Sequence, residues 1–523
     1  MMLRYQDVPE RFNIATHFVD RNLEQGRGDR TALITNAGRT TYAELAGQVN
    51  RVGNVLRELG VHQGDRVLIA LSDGLEFVAT WYAAQKIGAV TAEVYTFLPA
   101  KDYAYFLDYT GAEVVVVDPV TVDRMREAAA GAGRVRHLLV VGATSPRDGE
   151  WDFAALVGAA PDTLEPAPTG KDDDAIWKFT TGSTGAPKAC VHPARSPILS
   201  HEWYGRGVLD IGAGDVVLPV PKLFFGYARD LTALYPFGVG GAGIAFPERT
   251  TADRIFELIA EHRPTILVNV PTMMSAMVGH PDAAGQDLSC LRLCTSAGEA
   301  LPAELHRKWD KAFGVEVVDG IGSSEAYHIY ISNRPGEAHP TSVGRLVPGY
   351  TARIVDDDGA EVPDGEVGVL EVTGGTVATG YWADPEKSAR TFRGDTVHTG
   401  DLFSRDPDGF FHYQGRADDL LKVSGVWVAP SEIEHCLIGH DDVLECAVVG
   451  HETGGLVRPR AYVVPRASLT GTPELAATLR EYVRTRLSPH KSPHETVFVD
   501  ALPRTTNGKL DRRALRQLDA ESN

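Results

Sequence analysis

Four hydroxyl side chains, two glycines and one lysine fall within the nine residues Thr180-Thr181-Gly182-Ser183-Thr184-Gly185-Ala186-Pro187-Lys188. Hydroxyl donors, backbone N–H groups left open by glycine and one fixed cation suit a chain of phosphates. The spacing is not the Gly-x-x-x-x-Gly-Lys-Ser/Thr pattern of a P-loop. A Gly/Ser/Thr stretch taken alone also reads as a surface turn. Further along, Glu325 closes Gly322-Ser323-Ser324-Glu325 and Asp401 closes Thr399-Gly400-Asp401. An ionised carboxylate offers two oxygens to two donors. Read singly, Glu325 is a solvated turn carboxylate and Asp401 a turn residue. Lys509, followed by Arg512, Arg513 and Arg516, is then a tail charge.

These groups need elements to hold them. Ala175-Ile176-Trp177-Lys178-Phe179 reads as a short strand with apolar residues on either side of Lys178, so the hydroxyl loop hangs from a sheet edge. A helix is expected from Tyr42 through Leu56 and another from Phe77 to Ile87. Strands are expected at 65–71, 89–94 and 114–117. Strands spaced by helices predict a largely parallel sheet covered on both faces. Pro161 to Asp174, rich in Pro, Gly and Asp, reads as a linker. Further strands are expected at 215–221, 265–268, 291–295 and 315–318, with a helix at 253–261 and an aromatic loop at 222–227. Tyr350 to Tyr413 carries Asp-Gly turns at 358, 364 and 408 and predicts a small antiparallel unit. Beyond it, Ser431-Glu432-Ile433-Glu434 reads as a capping-box helix start, 443–449, 461–464 and 496–499 as strands, and 473–487 as a helix opened by proline.

With 523 residues the chain exceeds one ordinary core, so two or more domains are expected. The composition, 43% hydrophobic and 23% charged, is that of a soluble globular protein. No run of about 18 apolar residues appears, and the first residues lack the basic-then-apolar form of a signal peptide. A net charge of −19 disfavours nonspecific binding to nucleic acid or anionic membrane. Five cysteines without a CxxC pair suggest a reducing cytoplasm, with Cys290 and Cys294 in the core.

The loop from Thr180 to Lys188 resembles the signature of the adenylate-forming superfamily, which includes acyl-CoA synthetases, adenylation domains and luciferases. Four more motifs follow in that superfamily's order: Gly322 to Glu325, Thr399 to Asp401, Arg416 to Gly425, and Pro503-Arg504-Thr505-Thr506-Asn507-Gly508-Lys509. The resemblance runs from about Asp29 to Arg516. It implies an α/β fold: a large N-terminal domain, 1–417, with a distorted antiparallel β unit, and a small mobile C-terminal α+β domain, 418–523. It implies ATP, Mg²⁺ and CoA, or the phosphopantetheine arm of a carrier protein in place of CoA. The nucleotide would meet Thr180, Thr181, Gly182, Ser183, Thr184 and Gly185, then Ala297, Gly298 and Glu299, then Asp319, Gly320, Ile321, Gly322, Ser323 and Ser324. Asp401 would accept from the ribose hydroxyls, beside Arg416. Glu325 would hold the metal, because a carboxylate beside phosphates needs a cation between them. Lys509 would be the lysine of adenylation, Lys188 a phosphate lysine and Asp418 the hinge. Lys422, Ser424 and Gly425 would face the thiol acceptor.

Within the superfamily, Pro221-Lys222-Leu223-Phe224-Phe225, Cys294 to Leu301, His328-Ile329, Leu421 to Gly425 and Ser488 to Lys491 resemble benzoate-CoA ligases. That likeness implies a flat ring slot of Gly226, Tyr227, Ala297, Gly322, His328 and Ile329, with Tyr227 as an aromatic wall. His328 also reads as a packed loop histidine. Gly226 stands where alanine is expected, which leaves room for a ring substituent. Arg229 stands where an apolar residue is expected and reads as a surface charge, unless it points inward to meet a polar substituent. Ala189 replaces a glycine, which is tolerable unless φ is positive. Arg458, Arg460 and Lys491 read equally as CoA-phosphate contacts and as a solvated face. The expected activity is ATP-dependent activation of benzoate or a substituted benzoate through an acyl-AMP, then transfer to CoA, by a monomer or homodimer.

Overall fold

The computed structural model of the chain describes residues 3–131, 133–143, 146–180, 186–423, 426–453, 456–466, 469–504 and 510–521. The expectations placed on Thr181, Gly182, Ser183, Thr184, Gly185, Ser424, Gly425 and Lys509 lie outside the described residues.

Two large sheets organise the N-terminal part. In the first, Glu150–Asp152, His137–Val140, Val114–Val117, Arg66–Ala70, Val90–Glu93 and Asp174–Thr180 run parallel, and Lys188–Pro193 and Gly380–Tyr381 close the edge antiparallel. In the second, Ala242–Ile244, Val216–Pro219, Ile266–Asn269, Leu293–Ser296 and Val317–Gly322 form a parallel run, and Ile329–Ser332 turns back antiparallel. Strand alternation sorts the side chains. Val67 and Ile69 face a core shared with Val217, Ile266 and Val268 of the second sheet and with helices Tyr42–Glu58 and Leu75–Lys86. Leu68 and Ala70 face the opposite way, onto helices Ala100–Thr110 and Val122–Ala129. Leu218 and Leu267 pack on helix Ala252–His262. The result is helix, sheet, helix, sheet, helix in layers, with a buried helical layer common to both sheets.

An antiparallel sheet follows, built from Thr351–Val355, Gly368–Thr373, Thr396–Arg405, Phe392–Arg393 and Phe411–Arg416. The turn Ala417–Asp419 leads from its last strand into the hairpin Leu421–Val423/Val426–Val428 and a sheet of Val443–Thr453, Leu456–Pro465 and Glu495–Phe498, which has its own core. The fold is thus a large N-terminal α/β part and a smaller C-terminal one. No helix among the described residues is long and apolar enough to cross a membrane.

Some local expectations change. The strand placed at 315–318 runs through Val317–Gly322, because its end pairs antiparallel with Ile329–Ser332. The aromatic loop at 222–227 ends in helix Gly226–Ala233. Helix Pro430–Ile438 starts without a capping box: Ala429 is its N-cap, and Glu434 instead accepts from Val448 N at 2.7 Å and pairs with Arg512. All five cysteines are free, and Cys294 is fully buried. Ala189, fully buried, is not among the positive-φ residues, so its methyl is accommodated.

Candidate active site

The C-terminal ends of Leu293–Ser296, Val317–Gly322 and Asp174–Thr180 open on a cleft of ≈ 1760 Å³ that also touches the C-terminal part. Thr180, Gly298, Glu299, Asp319, Gly320, Ile321, Gly322, Ser323, Ser324, Glu325, Asp401, Arg416 and Asp418 line it, as do Arg504 and Leu510. Arg504 and Leu510 form a bridge across the segment that contains Lys509.

Register places the pair at the cleft's rim. Asp401 lies opposite Arg416 on adjacent antiparallel strands, and Arg416 Nη1 donates to Asp401 Oδ1 at 3.0 Å and to Thr399 O at 3.1 Å. Gly400, at φ +71°, is a left-handed position that would strain a side chain. Glu325 Oε1 accepts from the Tyr381 hydroxyl at 2.8 Å. Asp319 is buried, and burial pushes its carboxyl up to about 7. Its Oδ1 is buried and has no hydrogen-bond partner among the described residues. Glu299 turns its carboxylate to Thr272, whose hydroxyl donates at 2.7 Å, and to Arg504 at 3.5 Å.

Two expected catalytic lysines stand outside the cleft lining. Lys188 Nζ is 3.8 Å from Asp384 Oδ2, and Lys422 is exposed on strand Leu421–Val423. Asp418 sits in the turn between the two parts, where its neighbour Asp419 pairs with Arg512 at 3.4 Å and with Arg516. Arg460 pairs with Glu495 at 2.5 Å and Lys491 with Glu432 at 2.7 Å.

A second, smaller cavity shares Gly298, Gly322, Ser323 and Ser324 with the cleft. All six residues expected in the ring slot line it: Gly226, Tyr227, Ala297, Gly322, His328 and Ile329. The Tyr227 hydroxyl and Thr295 Oγ1 are hydrogen-bonded at 2.6 Å, which locks the ring wall. The His328 ring lies against Tyr204, Tyr227 and Tyr235. Burial lowers its pKa to about 3, so the imidazole is neutral in the slot at ordinary pH. A Cβ at Gly322 would stand 2.3 Å from His328 O, so the hairpin end admits only glycine there.

Beside the slot lies a charged cluster that sequence reading did not assemble. Arg229 points inward and is 2% exposed, which corrects its reading as a surface charge. It donates to Glu93 Oε1 at 2.7 Å and to Asp230 Oδ1 at 2.8 Å, over the Trp81 ring. Lys178 Nζ donates to Asp230 Oδ2 and to Tyr327 O, each at 2.7 Å. Burial lowers the Lys178 ammonium to about 8, and Asp230 is held down at about 2 because Arg229 and Lys178 outweigh its burial. The room expected at Gly226 belongs to this lysine: a Cβ there would stand 2.7 Å from Lys178 Nζ. Tyr327 takes φ +77°, a strained value for an aromatic residue, and thereby turns its carbonyl to Lys178. The sequence signals for this cluster were Lys178 set between apolar strand residues and Arg229 standing where an apolar residue is expected.

The AMP-binding enzyme family matches residues 19–382, and its C-terminal domain family matches 432–509. The chain is 41% identical over 512 residues to a benzoate–CoA ligase of Thauera aromatica, covering 97% of this chain and 96% of that protein. It is 38% identical over 511 residues to a 4-hydroxybenzoate–CoA/benzoate–CoA ligase of Rhodopseudomonas palustris, covering 97% and 94%. Among solved structures, the anthranilate CoA ligase AuaEII in complex with anthranoyl-AMP superposes with TM-score 0.95 at 34% identity, covering 99% of both chains. A benzoate CoA ligase from Burkholderia xenovorans LB400 superposes with TM-score 0.89 at 39% identity, covering 97% of this chain and 100% of that one.

Proposed function

We propose, from the premise that this chain belongs to the AMP-binding enzyme family, that it activates an aromatic carboxylic acid with ATP and transfers the acyl group to CoA. The observation that carries this reading is the shared wall, Gly298 and Gly322 to Ser324, between a ring-sized slot and the wide polar cleft. An acid seated in the slot presents its carboxylate to a nucleotide in the cleft. A carboxylate oxygen attacks the α-phosphorus of ATP, the bond to pyrophosphate breaks, and an acyl-AMP forms. The sulfur of CoA then attacks the acyl carbon, its proton is lost, and AMP leaves. Both steps gather negative charge that fixed donors stabilise.

We assign the ribose hydroxyls to Asp401, the base of the nucleotide to the cleft wall of Asp319, Gly320 and Ile321, and the α-phosphate to Lys509. Lys188 and the loop before it take the outer phosphates, Lys422 serves the thiol step, and residues 1–417 and 418–523 act as two domains hinged at Asp418. One carboxylate plus phosphate oxygens is a sufficient set for Mg²⁺, and Glu325, steadied by Tyr381, would hold it and thereby offset phosphate charge. The test is pyrophosphate release across benzoate, its amino, hydroxy and chloro derivatives, phenylacetate, cinnamate and a medium-chain fatty acid, with and without CoA. CoA-dependent turnover of an aryl acid is the expected result, and turnover confined to the fatty acid would overturn the reading.

A further inference from the structure

We infer that the ring slot selects a benzoate whose substituent donates a hydrogen bond, a hydroxyl or an amine, and that Glu93 is the residue that accepts it. The inference rests on the aryl-acid reading above and deepens it. Glu93 ends the strand Val90–Glu93 and lines the same cavity as Tyr227, His328 and Gly226. It is 5% exposed. Its Oε1 is occupied twice, by Trp81 Nε1 and by Arg229 Nη1. Its Oε2 accepts from none of the described residues. By contrast both oxygens of Asp230 are filled, one by Arg229 and one by Lys178. The cluster therefore leaves one carboxylate oxygen for something outside itself.

A buried acceptor with no donor is unfavourable, and a carboxylate acceptor more so than a carbonyl. An unsubstituted ring, or one bearing methyl or chlorine, leaves that oxygen unmade and excludes water from it. A hydroxyl or amine satisfies it with a charge-assisted hydrogen bond. Sites that bury a polar group to meet a substrate donor reject the analogue lacking it far more strongly than an apolar pocket rejects an extra group. The remaining hydrogens of Lys178 and Arg229 lie on the same cluster, so a hydroxyl, which also accepts, gains a second partner that an amine does not use.

The full-length enzyme is assayed for pyrophosphate release with ATP, Mg²⁺ and CoA. The acids are benzoate and the ortho, meta and para amino-, hydroxy-, methyl- and methoxy-benzoates. At one ring position kcat/KM for the amino or hydroxy acid is expected to exceed that of its methyl isostere by about tenfold or more. Preference for hydroxyl over amine at that position assigns the cation partner as well; the reverse leaves Glu93 as the sole partner. Methoxy, which accepts but cannot donate, is expected to rank with methyl. Glu93→Gln keeps an oxygen for Trp81 and Arg229 but turns the free acceptor into a donor, and the donor-to-methyl ratio is expected to collapse in it. Methyl isosteres matching the donors at all three positions overturn the inference and leave the aryl-ligase reading standing, whether or not the variant folds. An unchanged ratio in a folded Glu93→Gln enzyme overturns the role of Glu93. No turnover of any aryl acid overturns both.

Discussion

His328 shows what a single side chain brings to the site. Three tyrosine rings surround it, and its pKa falls to about 3 through burial. A histidine lowered in the folded state and ordinary in the unfolded chain draws protons on unfolding. Its contribution is complete above about 6.5 and is lost as pH falls toward about 3. The imidazole itself is neutral over the upper part of that window. The pH profile of kcat/KM for the aryl acid should therefore keep the same shape between pH 5.5 and about 7.5 in His328→Phe, with KM raised. A limb near 6.5 that vanishes in the variant would show a titrating imidazole instead. Lys509→Ala should reduce pyrophosphate release by about 10²–10³ and spare thiolysis of supplied acyl-AMP; equal loss of both steps would contradict its role. The six slot residues were legible because each sits in a motif of fixed order. Glu93, Lys178 and Arg229 were not, because a charge's partner is set by tertiary contact: Glu93 and Arg229 lie 136 residues apart.

At the scale of elements, the slot depends on a strand reversing direction. Val317–Gly322 and Ile329–Ser332 pair antiparallel, with a register shift at Ile321/Gly322. The intervening turn carries Glu325 toward the cleft and His328 toward the ring. Gly322→Ala would drive a methyl into the His328 carbonyl, so the hairpin must open. The expected result is a loss of about 1–3 kcal/mol in denaturant unfolding together with lost aryl-acid turnover; wild-type stability and turnover would refute the clash. This hairpin explains why the strand expected at 315–318 was too short: the local apolar run ends at Val318, and the remaining residues are strand only because a partner lies beside them. The helix at Pro430–Ile438 makes the same point. Ser431 and Glu434 have capping-box spacing, yet Glu434 is taken by Arg512, a stronger partner than a backbone N–H.

In the whole molecule, the sheet-and-helix layering was legible from alternating apolar strands and amphipathic helices. That there are two such sheets sharing a helical layer was not, since both read as the same strand-helix pattern. Among the described residues, the ion pairs between the two parts include Lys308 with Asp441 at 2.9 Å and Arg504 with Glu299 at 3.5 Å, partly or largely exposed. Exposed pairs of this kind hold little. Asp441→Ala should thus change either half-reaction by less than about twofold. Asp418→Pro, which stiffens the turn with Arg504 and Leu510 at the cleft, should spare pyrophosphate release and suppress thiolysis; equal rates in both assays would remove the turn from the cycle. The four charges beside the slot come from three separate elements: a strand end, a second strand and a helix. Removing any one leaves the buried cluster of two cations and two anions with an unbalanced charge, whereas removing a matched pair does not. Acid preference in this scaffold is therefore heritable in blocks. A lineage or a laboratory library that moves toward an apolar ring must cross a valley of single mutants, and libraries that vary position 93 with 229, or 178 with 230, reach the far side where one-at-a-time scanning stalls.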